Sequence, residues 1–307
     1  MHGASPESDI NPMHDIQPQG VPVATYAVAT LSGSAGKTTT VTSTATLLAQ
    51  DGYRVRVLDM DSQANASTWL GYPEASGKTA ADVLRRNASI KDVERPARVV
   101  RGYDEGDQPV YEEIPNLTIV PAARDTLDKL IVELPAVTGG VLHLRDALEE
   151  ADPVDVTLID SPGSLNVLVI AGILATTVDE EGPHGSWGLI TCTKPSGKEN
   201  EGIPALEQEL RKIKRTYRVD VPLLSIVPCA VPPIGDVYRE QMDDLLSEYA
   251  DRVTPPIRRA SIVDEAYTNY VPVPIYGYRA KTVTSDYRAA LTHMQKLGLF
   301  GQRAVVA

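Results

Sequence analysis

Along most of the chain, short apolar runs alternate with longer segments that are predicted to be helical. Six runs rich in Val, Ile and Leu predict buried strands, and they are residues 25–31, 54–60, 116–122, 154–163, 187–193 and 222–231. Helices are predicted between and after them, at residues 36–53, 81–88, 125–134, 141–151, 200–217, 234–250 and 285–298. This alternation predicts an α/β fold, a doubly wound and mostly parallel sheet with helices on both faces.

Three segments fall outside the alternating pattern. Residues 1–22 are polar, Pro-rich and aperiodic, which predicts a disordered N-terminal tail. Residues 98–115 separate two predicted elements and are expected to form a surface insertion. We therefore expect a single domain over residues 23–300, followed by a short C-terminal tail at residues 301–307.

Composition narrows the functional classes. The 307 residues carry a formal net charge of -12, which argues against binding of polyanions by the whole surface but leaves a local basic patch open. The only cysteines, Cys192 and Cys229, form no C-x-x-C pattern, so we expect buried free thiols rather than a zinc or iron–sulfur site. The longest apolar run, residues 167–175, is too short to span a bilayer, and the N-terminus lacks a signal-peptide layout. A cytoplasmic location is expected.

The stretch SGSAGKTTT lies where the first predicted strand meets the first predicted helix. Gly36, Lys37 and Thr38 match the end of the phosphate-loop pattern G-x-x-x-x-G-K-S/T, but its first glycine would fall on Leu31. In such a loop, backbone amides at the helix N-terminus face phosphate oxygens, Lys37 reaches the β- and γ-phosphates, and the Thr38 hydroxyl ligates Mg²⁺. On the loop alone, an ordinary Gly/Ser turn before a helix remains an alternative.

Two further predicted strands end in acidic residues. Asp59 and Asp61 lie at the end of the strand at residues 54–60. Asp160 ends the apolar strand within residues 154–163, a stretch that runs on into a loop. Carboxylates at the C-terminal ends of parallel strands lie beside the phosphate crevice, where an acid can hold Mg²⁺ through water. Each acid alone is also compatible with a solvated strand end, but their order along the chain favours a nucleotide site.

These three stretches together resemble the ParA-type partition ATPases, in the deviant Walker-A branch of P-loop proteins. The family's K-G-G-x-G-K-T-T loop corresponds to residues 32–39, its D-x-D-P-Q-x-N-A to residues 59–66, and its D-x-P-P-S-L to residues 160–165. The resemblance covers roughly residues 23 to 300. It is specific in the first half of the chain and looser in the C-terminal third.

The resemblance implies a P-loop NTPase fold that binds ATP and Mg²⁺ and hydrolyses ATP slowly. It implies that Asp61 positions or deprotonates the attacking water and that Asp160 and Thr38 order the ligands of Mg²⁺. Asp59 is implied to support these residues indirectly. Lys37 also offsets charge during phosphoryl transfer. The residues implied to bind the triphosphate are Gly33, Ser34, Ala35, Gly36, Lys37, Thr38 and Thr39.

The loop departs from the family pattern at two positions. Ser32 stands where the family has its signature lysine, which reaches the partner's phosphates across an ATP-bound dimer, and Ser34 replaces the second glycine. Serine cannot supply the lysine's charge, so the usual dimer switch is in question. Lys194 or Lys198 are alternative sources of that charge.

Grouped basic residues stand out in an acidic chain. They occur at residues 211–218 and again in the C-terminal region as Arg258, Arg259, Arg279 and Lys281. The family resemblance favours the C-terminal group as a surface that contacts the phosphates of non-specific DNA. Ordinary solvated surface charge is the alternative for both groups.

The leading hypothesis is an ATP-driven partition protein associated with the nucleoid. It implies an ATP-dependent homodimer, binding of non-specific DNA and stimulation by a centromere-binding ParB-like partner, with no membrane partner. A MinD-like ATPase at a membrane surface would need a basic amphipathic C-terminal helix, whereas residues 297–307 are short and weakly basic. A P-loop metabolic ligase or kinase, which would use a substrate pocket, is the third possibility.

Overall fold

A seven-stranded sheet forms the centre of the chain in the computed structural model, which describes residues 23–31, 36–183, 185–195, 202–233 and 235–301. The strand order is β3-β4-β2-β5-β1-β6-β7, and all neighbours pair in parallel except β3 and β4. The strands are β1 Ala24–Val28, β2 Val55–Asp59, β3 Arg95–Tyr103, β4 Pro109–Val120, β5 Val156–Asp160, β6 Trp187–Thr193 and β7 Leu223–Pro228. The predicted fold class is confirmed.

Helices cover both faces of the sheet. The α-helices of the described residues are α1 Lys37–Gln50, α2 Asn65–Trp69, α3 Ala80–Leu84, α4 Ile90–Val93, α5 Leu127–Ala136, α6 His143–Glu149, α7 Val167–Ala175, α8 Gly202–Tyr217, α9 Asp236–Tyr249, α10 Ser261–Thr268 and α11 Lys281–Lys296. Each predicted strand and helix overlaps an observed one. None of these helices is long and apolar enough to cross a membrane.

Two hydrophobic cores lie on opposite sides of the sheet because successive side chains of a strand point to opposite faces. In β1, Tyr26 and Val28 belong to the core beneath α1, α10 and α11, whereas Ala27 belongs to the core beneath α3 to α9. All five residues of β1, β2 and β5 are buried. The central strands are therefore apolar runs rather than alternating ones, as expected for a parallel sheet covered on both faces.

Helix α1 is rich in threonine, a residue with poor helix propensity. Its hydroxyls bond back to the helix: Thr42 Oγ1 donates to the Thr38 carbonyl at 2.9 Å, and Thr46 Oγ1 donates to the Thr42 carbonyl at 2.7 Å. Most of the helix is buried against the sheet and α11. Tertiary packing rather than propensity stabilises it, which agrees with its prediction from context.

Residues 98–115, expected only as a surface insertion, form most of an antiparallel hairpin at one edge of the sheet. β3 and β4 pair from Arg95 with Ile119 to Tyr103 with Pro109. The turn is closed by the Asp104 carboxylate, which accepts hydrogen bonds from the amides of Gly106 and Gln108. The hairpin extends the sheet by an antiparallel strand that the hydrophobic pattern did not indicate.

A buried ion pair fastens β2 to the segments beside it. The Arg56 guanidinium donates two hydrogen bonds of 2.9 Å to the Glu94 carboxylate and one of 2.8 Å to the Asp152 carbonyl. The Arg56 side chain is 3% exposed, so its charge depends on these acceptors. Loss of one partner would leave the other charge buried and uncompensated.

Glu94→Ala should therefore destabilise the fold by about 3–5 kcal/mol, because it leaves the Arg56 charge buried without a partner. The matched control is Glu112→Ala, which removes the partner of Arg101 from a pair whose side chains are both more than half exposed. That change should cost no more than about 1 kcal/mol. Urea denaturation measures both, and equal losses would contradict a structural role for the Arg56 pair.

Candidate active site

The carboxyl ends of β1, β2 and β5 meet at one edge of the sheet. Parallel pairing places Asp160 beside Asp59 on one side and beside Val28 on the other. The chain leaves β1 towards α1, whose N-terminus lies at this same edge and shares a cavity with the loops that follow β2 and β5. The three stretches that the sequence analysis singled out are thus brought together in space.

A cavity of about 650 Å³ opens at this edge. The start of α1, the loop after β2, the loop after β5 and helix α10 form its walls. Its lining includes Gly36, Lys37, Thr38, Thr39, Asp61, Ser62, Gln63, Asn65, Trp69, Pro162, Gly163, Ser164, Asn166, Asp264 and Tyr267. Of the predicted triphosphate-binding residues, Gly33, Ser34 and Ala35 lie outside the described residues, as does Ser32.

Gly36 precedes α1 with a φ of 89°, in the left-handed region that favours glycine. A Cβ atom added there would lie 3.0 Å from Cys229 Cβ and 3.1 Å from Cys229 Sγ. Both cysteines of the chain are free and buried, as predicted. The glycine therefore satisfies two demands at once, a left-handed turn into the helix and close contact with the end of β7.

The N-terminus of α1 presents a cationic, donor-rich surface to the cavity. Lys37 is only 6% exposed, yet it lines the cavity together with Thr38 and Thr39. Among the described residues, no side chain caps the first amides of the helix. Uncapped helical amides and a lysine at a helix N-terminus form a site that favours anions.

Asp59 is fully buried and faces the protein rather than the cavity. Its carboxylate accepts hydrogen bonds from the Asp61 amide at 3.1 Å, the Ser67 amide at 2.8 Å and the Ser67 hydroxyl at 2.7 Å. Burial raises the pKa of Asp59 to about 6, although the hydrogen bonds from Ser67 lower it. The geometry makes Asp59 an anchor for the loop that carries Asp61.

Asp160 is equally buried, but neither of its carboxylate oxygens has a hydrogen-bond partner among the described residues. Burial and then the neighbouring Asp59 carboxylate raise the pKa of Asp160 well above its usual range. The nearby Thr38 hydroxyl and Lys37 ammonium act in the opposite direction. Two carboxylate oxygens without a hydrogen-bond partner among the described residues lie near a threonine hydroxyl. Such oxygens are the ligands that Mg²⁺ prefers, directly or through water.

Asp61 follows β2 and lines the cavity, where it is partly exposed. Its amide is held by Asp59, and its carbonyl accepts a hydrogen bond of 2.9 Å from the Ala64 amide. Its carboxylate accepts one hydrogen bond from the Gln63 amide at 3.0 Å. The backbone of Asp61 is thus fixed on both sides while its side chain remains accessible from the cavity.

The predicted DNA-contacting residues separate into two groups. The Arg258 guanidinium donates to both oxygens of Asp286, at 2.6 and 2.8 Å, and Arg279 donates to both oxygens of Glu265, at 2.8 and 3.0 Å. The other two, Arg259 and Lys281, are exposed and form no ion pair with any described residue. Half of the predicted basic surface is therefore neutralised by adjacent carboxylates.

A second cavity of about 480 Å³ adjoins the first and shares Gly36 and Thr39 with it. Its lining combines apolar and polar groups, including Lys194, Cys229, Pro232, Tyr238, Ile257, Arg259 and Tyr287. Lys198, the other alternative source of positive charge, lies outside the described residues. A ligand bound at the start of α1 can extend into both cavities.

Several residues of the site were not predicted. Ser67 lies just beyond the motif at residues 59–66, and Asn166 caps α7 by accepting hydrogen bonds from two of its first amides. An asparagine directly before an apolar run indicates a helix cap. A serine directly after an acidic loop is a candidate hydrogen-bond donor to the acid. Trp69 and Tyr267, in contrast, meet only through the tertiary fold, with ring centroids 5.3 Å apart.

Comparisons with known proteins agree with this geometry. Residues 23–221 match a family model described as an AAA domain. The chromosome partitioning protein ParA of Caulobacter vibrioides is 35% identical over 263 residues, which span 84% of this chain and 89% of that protein. The relative is therefore matched over nearly its whole length.

Solved structures with similar folds bind nucleotides. Cyanothece McdA in complex with ATP has a TM-score of 0.72 at 20% identity and covers 93% of this chain and 100% of its own. Cobyrinic acid a,c-diamide synthase from Mycobacterium smegmatis, with a bound ATP analogue and magnesium, has a TM-score of 0.67 at 22% identity and covers 92% of this chain and 99% of its own. At these identities the likeness establishes the fold.

Gly36→Ala should destabilise the protein more than Gly139→Ala. Both glycines have positive φ, 89° and 72°, so both changes carry the left-handed strain of about 1–2 kcal/mol. Only Gly36 has a neighbour in the way, because nothing lies within 4 Å of a Cβ added at Gly139. The overlap with Cys229 should add about 1–3 kcal/mol. Urea denaturation compares them, and equal losses would show that the Cys229 contact is unimportant.

Proposed function

The chain belongs to the ParA-type partition ATPases, and from this premise we propose that it binds and slowly hydrolyses ATP to drive the segregation of DNA. One observation carries the proposal for the site. Lys37 and the uncapped amides of α1 share an edge of the sheet with Asp160, a buried carboxylate whose oxygens lack hydrogen-bond partners among the described residues. This arrangement suits a triphosphate and a divalent cation together.

ATP would place its phosphates at the N-terminus of α1, where Lys37 and the amides of Gly36 to Thr39 meet the negative charge. The base and ribose would extend into the second cavity, since Gly36 and Thr39 line both cavities. Its apolar walls, which include Ile257 and Pro232, suit a planar heterocycle. The family resemblance assigns the preceding residues 33–35 to the same phosphate site.

Asp160 and the Thr38 hydroxyl would hold Mg²⁺, which supplies when bound the positive charge that offsets the phosphate oxygens. The positive charge of Mg²⁺ would also stabilise the ionised form of Asp160, which burial and the Asp59 carboxylate both disfavour. The residues present fit such an ion.

Asp61 would orient the attacking water and accept its proton, because its carboxylate faces the cavity while its backbone is fixed by Asp59 and Ala64. Catalysis of phosphoryl transfer depends mainly on placement and charge compensation. Ser32 does not supply the charge that the family's signature lysine provides. Basal turnover should therefore be slow.

The identity of 35% over 84% of the chain supports partition rather than another activity of this fold. The fold alone does not distinguish partition from a metabolic activity, because a cobyrinic acid a,c-diamide synthase has the same fold. We therefore propose an ATP-dependent homodimer that binds non-specific DNA on the nucleoid and is stimulated by a centromere-binding ParB-like partner. A membrane-surface or metabolic role has no comparable support.

The DNA-contacting surface would depend chiefly on Arg259 and Lys281. Both are exposed and free of ion pairs with the described residues, so their charges are available to DNA phosphates. Arg258 and Arg279 already share their charge with Asp286 and Glu265. These two arginines would contribute less to DNA binding than the sequence alone suggests.

Lys37→Ala should abolish ATP binding, because it removes the cation that pairs with the phosphates. Asp61→Ala should keep ATP binding and lose hydrolysis, because only the water loses its partner. Calorimetry with ATP and measurement of phosphate release separate the two effects. Unchanged ATP affinity in Lys37→Ala would refute the phosphate site, and wild-type turnover in Asp61→Ala would refute its role towards water.

Arg259→Ala with Lys281→Ala should weaken ATP-dependent binding to non-specific DNA. Lys281→Ala alone, at a residue that lines neither cavity, should leave ATP turnover without DNA unchanged. Each lost phosphate contact should reduce the slope of log affinity against log salt by about 1. Arg258→Ala should reduce it less, since Asp286 already neutralises that charge. Lys91→Ala, on the opposite face of the sheet, is the control. An unaltered slope in the double variant would assign DNA binding to another surface.

A further inference from the structure

Helix α2, which begins four residues after Asp61, is fastened to the C-terminal part of the chain. The Tyr267 hydroxyl donates a hydrogen bond of 2.7 Å to Asn65 Oδ1. The Tyr267 ring meets the Trp69 ring edge to face, with centroids 5.3 Å apart and an interplanar angle of 82°. The Trp69 indole in turn donates to the Val271 carbonyl at 2.8 Å. Three contacts therefore join α2 to residues 267–271.

The loop between Asp61 and Asn65 is too short to absorb a displacement of α2. The Ala64 amide donates to the Asp61 carbonyl at 2.9 Å, and Ala64 itself has a φ of 52°. A non-glycine residue in this left-handed region is strained and persists only where its surroundings hold it. Asn65 directly follows this strained residue, so a bond to its side chain fixes the loop at the end opposite to Asp59.

The hydroxyl and the ring of Tyr267 serve separate purposes. The ring's contact with Trp69 is a packing interaction that phenylalanine would also provide. The hydroxyl instead reaches Asn65 at the wall of the cavity, where both residues contact the space that Asp61 also lines. Without this bond the Asn65 amide could turn into the cavity and the loop could relax.

We propose that Tyr267 is a positioning residue for ATP hydrolysis, which acts through Asn65 to hold Asp61 in place for the attacking water. The inference rests on the proposed function of Asp61 and adds a partner for it from the C-terminal third of the chain. Tyr267 does not touch the water or the phosphates in this role. It sets the position of the loop that does.

Tyr267→Phe tests the hydroxyl alone. Loss of one neutral hydrogen bond should lower kcat by roughly two- to tenfold, while the affinity for ATP and the thermal midpoint stay close to wild type. The matched control is Tyr276→Phe, which removes a hydroxyl that accepts a hydrogen bond of 2.9 Å from Asn269 in the same region and takes no part in the hydrogen bonds described above for residues 61–65. Its kcat should not change. A wild-type kcat in Tyr267→Phe, or an equal loss in Tyr276→Phe, would overturn the proposal.

A double-mutant cycle with Asn65→Ala identifies the route of the effect. If Tyr267 acts through Asn65, then Tyr267→Phe should have no further effect on kcat once Asn65 is alanine. Additive losses would mean that Tyr267 acts elsewhere and would overturn the proposal. Asp61→Ala in the same assay separates the two proposals: retained turnover there refutes the proposed role of Asp61 towards the attacking water, whereas lost turnover with a normal Tyr267→Phe refutes only the role of Tyr267.

Discussion

The parallel pairing of β5 with β1 on one side and β2 on the other is the constraint on which the site depends. It sets Asp160 beside Asp59 and near Lys37 and Thr38 at the N-terminus of α1. Burying two neighbouring carboxylates is unfavourable, and it raises the pKa values of both. The positive end of α1 and Lys37 offset part of this cost, and an anion with its cation would complete the balance of charge.

The two buried carboxylates, Asp59 and Asp160, lie side by side but have different roles. Asp59 receives three hydrogen bonds, from the Asp61 amide and from Ser67, and therefore holds the loop after β2. Asp160 receives none from the described residues and keeps its oxygens for a ligand. The difference comes from Ser67, since its amide and hydroxyl supply two of the bonds. A single serine after the acidic motif thus separates a structural acid from one suited to a metal.

The sequence by itself determined the six parallel strands of the sheet, the order of the site motifs and the start of α1. Strands buried on both faces are contiguous apolar runs, so β1, β2 and β5 could be read without any knowledge of their neighbours. Acids at the ends of two such runs must meet at one edge if the strands are parallel, and Asp59 and Asp160 do. These inferences succeeded because burial on both faces is visible in each apolar run, and the parallel direction follows from the alternation of strands with helices.

Tertiary structure alone decided the elements and contacts without a local signal. Helix α7 is apolar on all sides and shows no helical period, and β3 exists only because β4 pairs with it. Arg258 is neutralised by a residue 28 positions away, and Tyr267 meets Asn65 across 202 positions. A periodic pattern records which side of an element is buried, but not which polar group will lie opposite. Those partners are chosen by how the helices pack across the finished sheet.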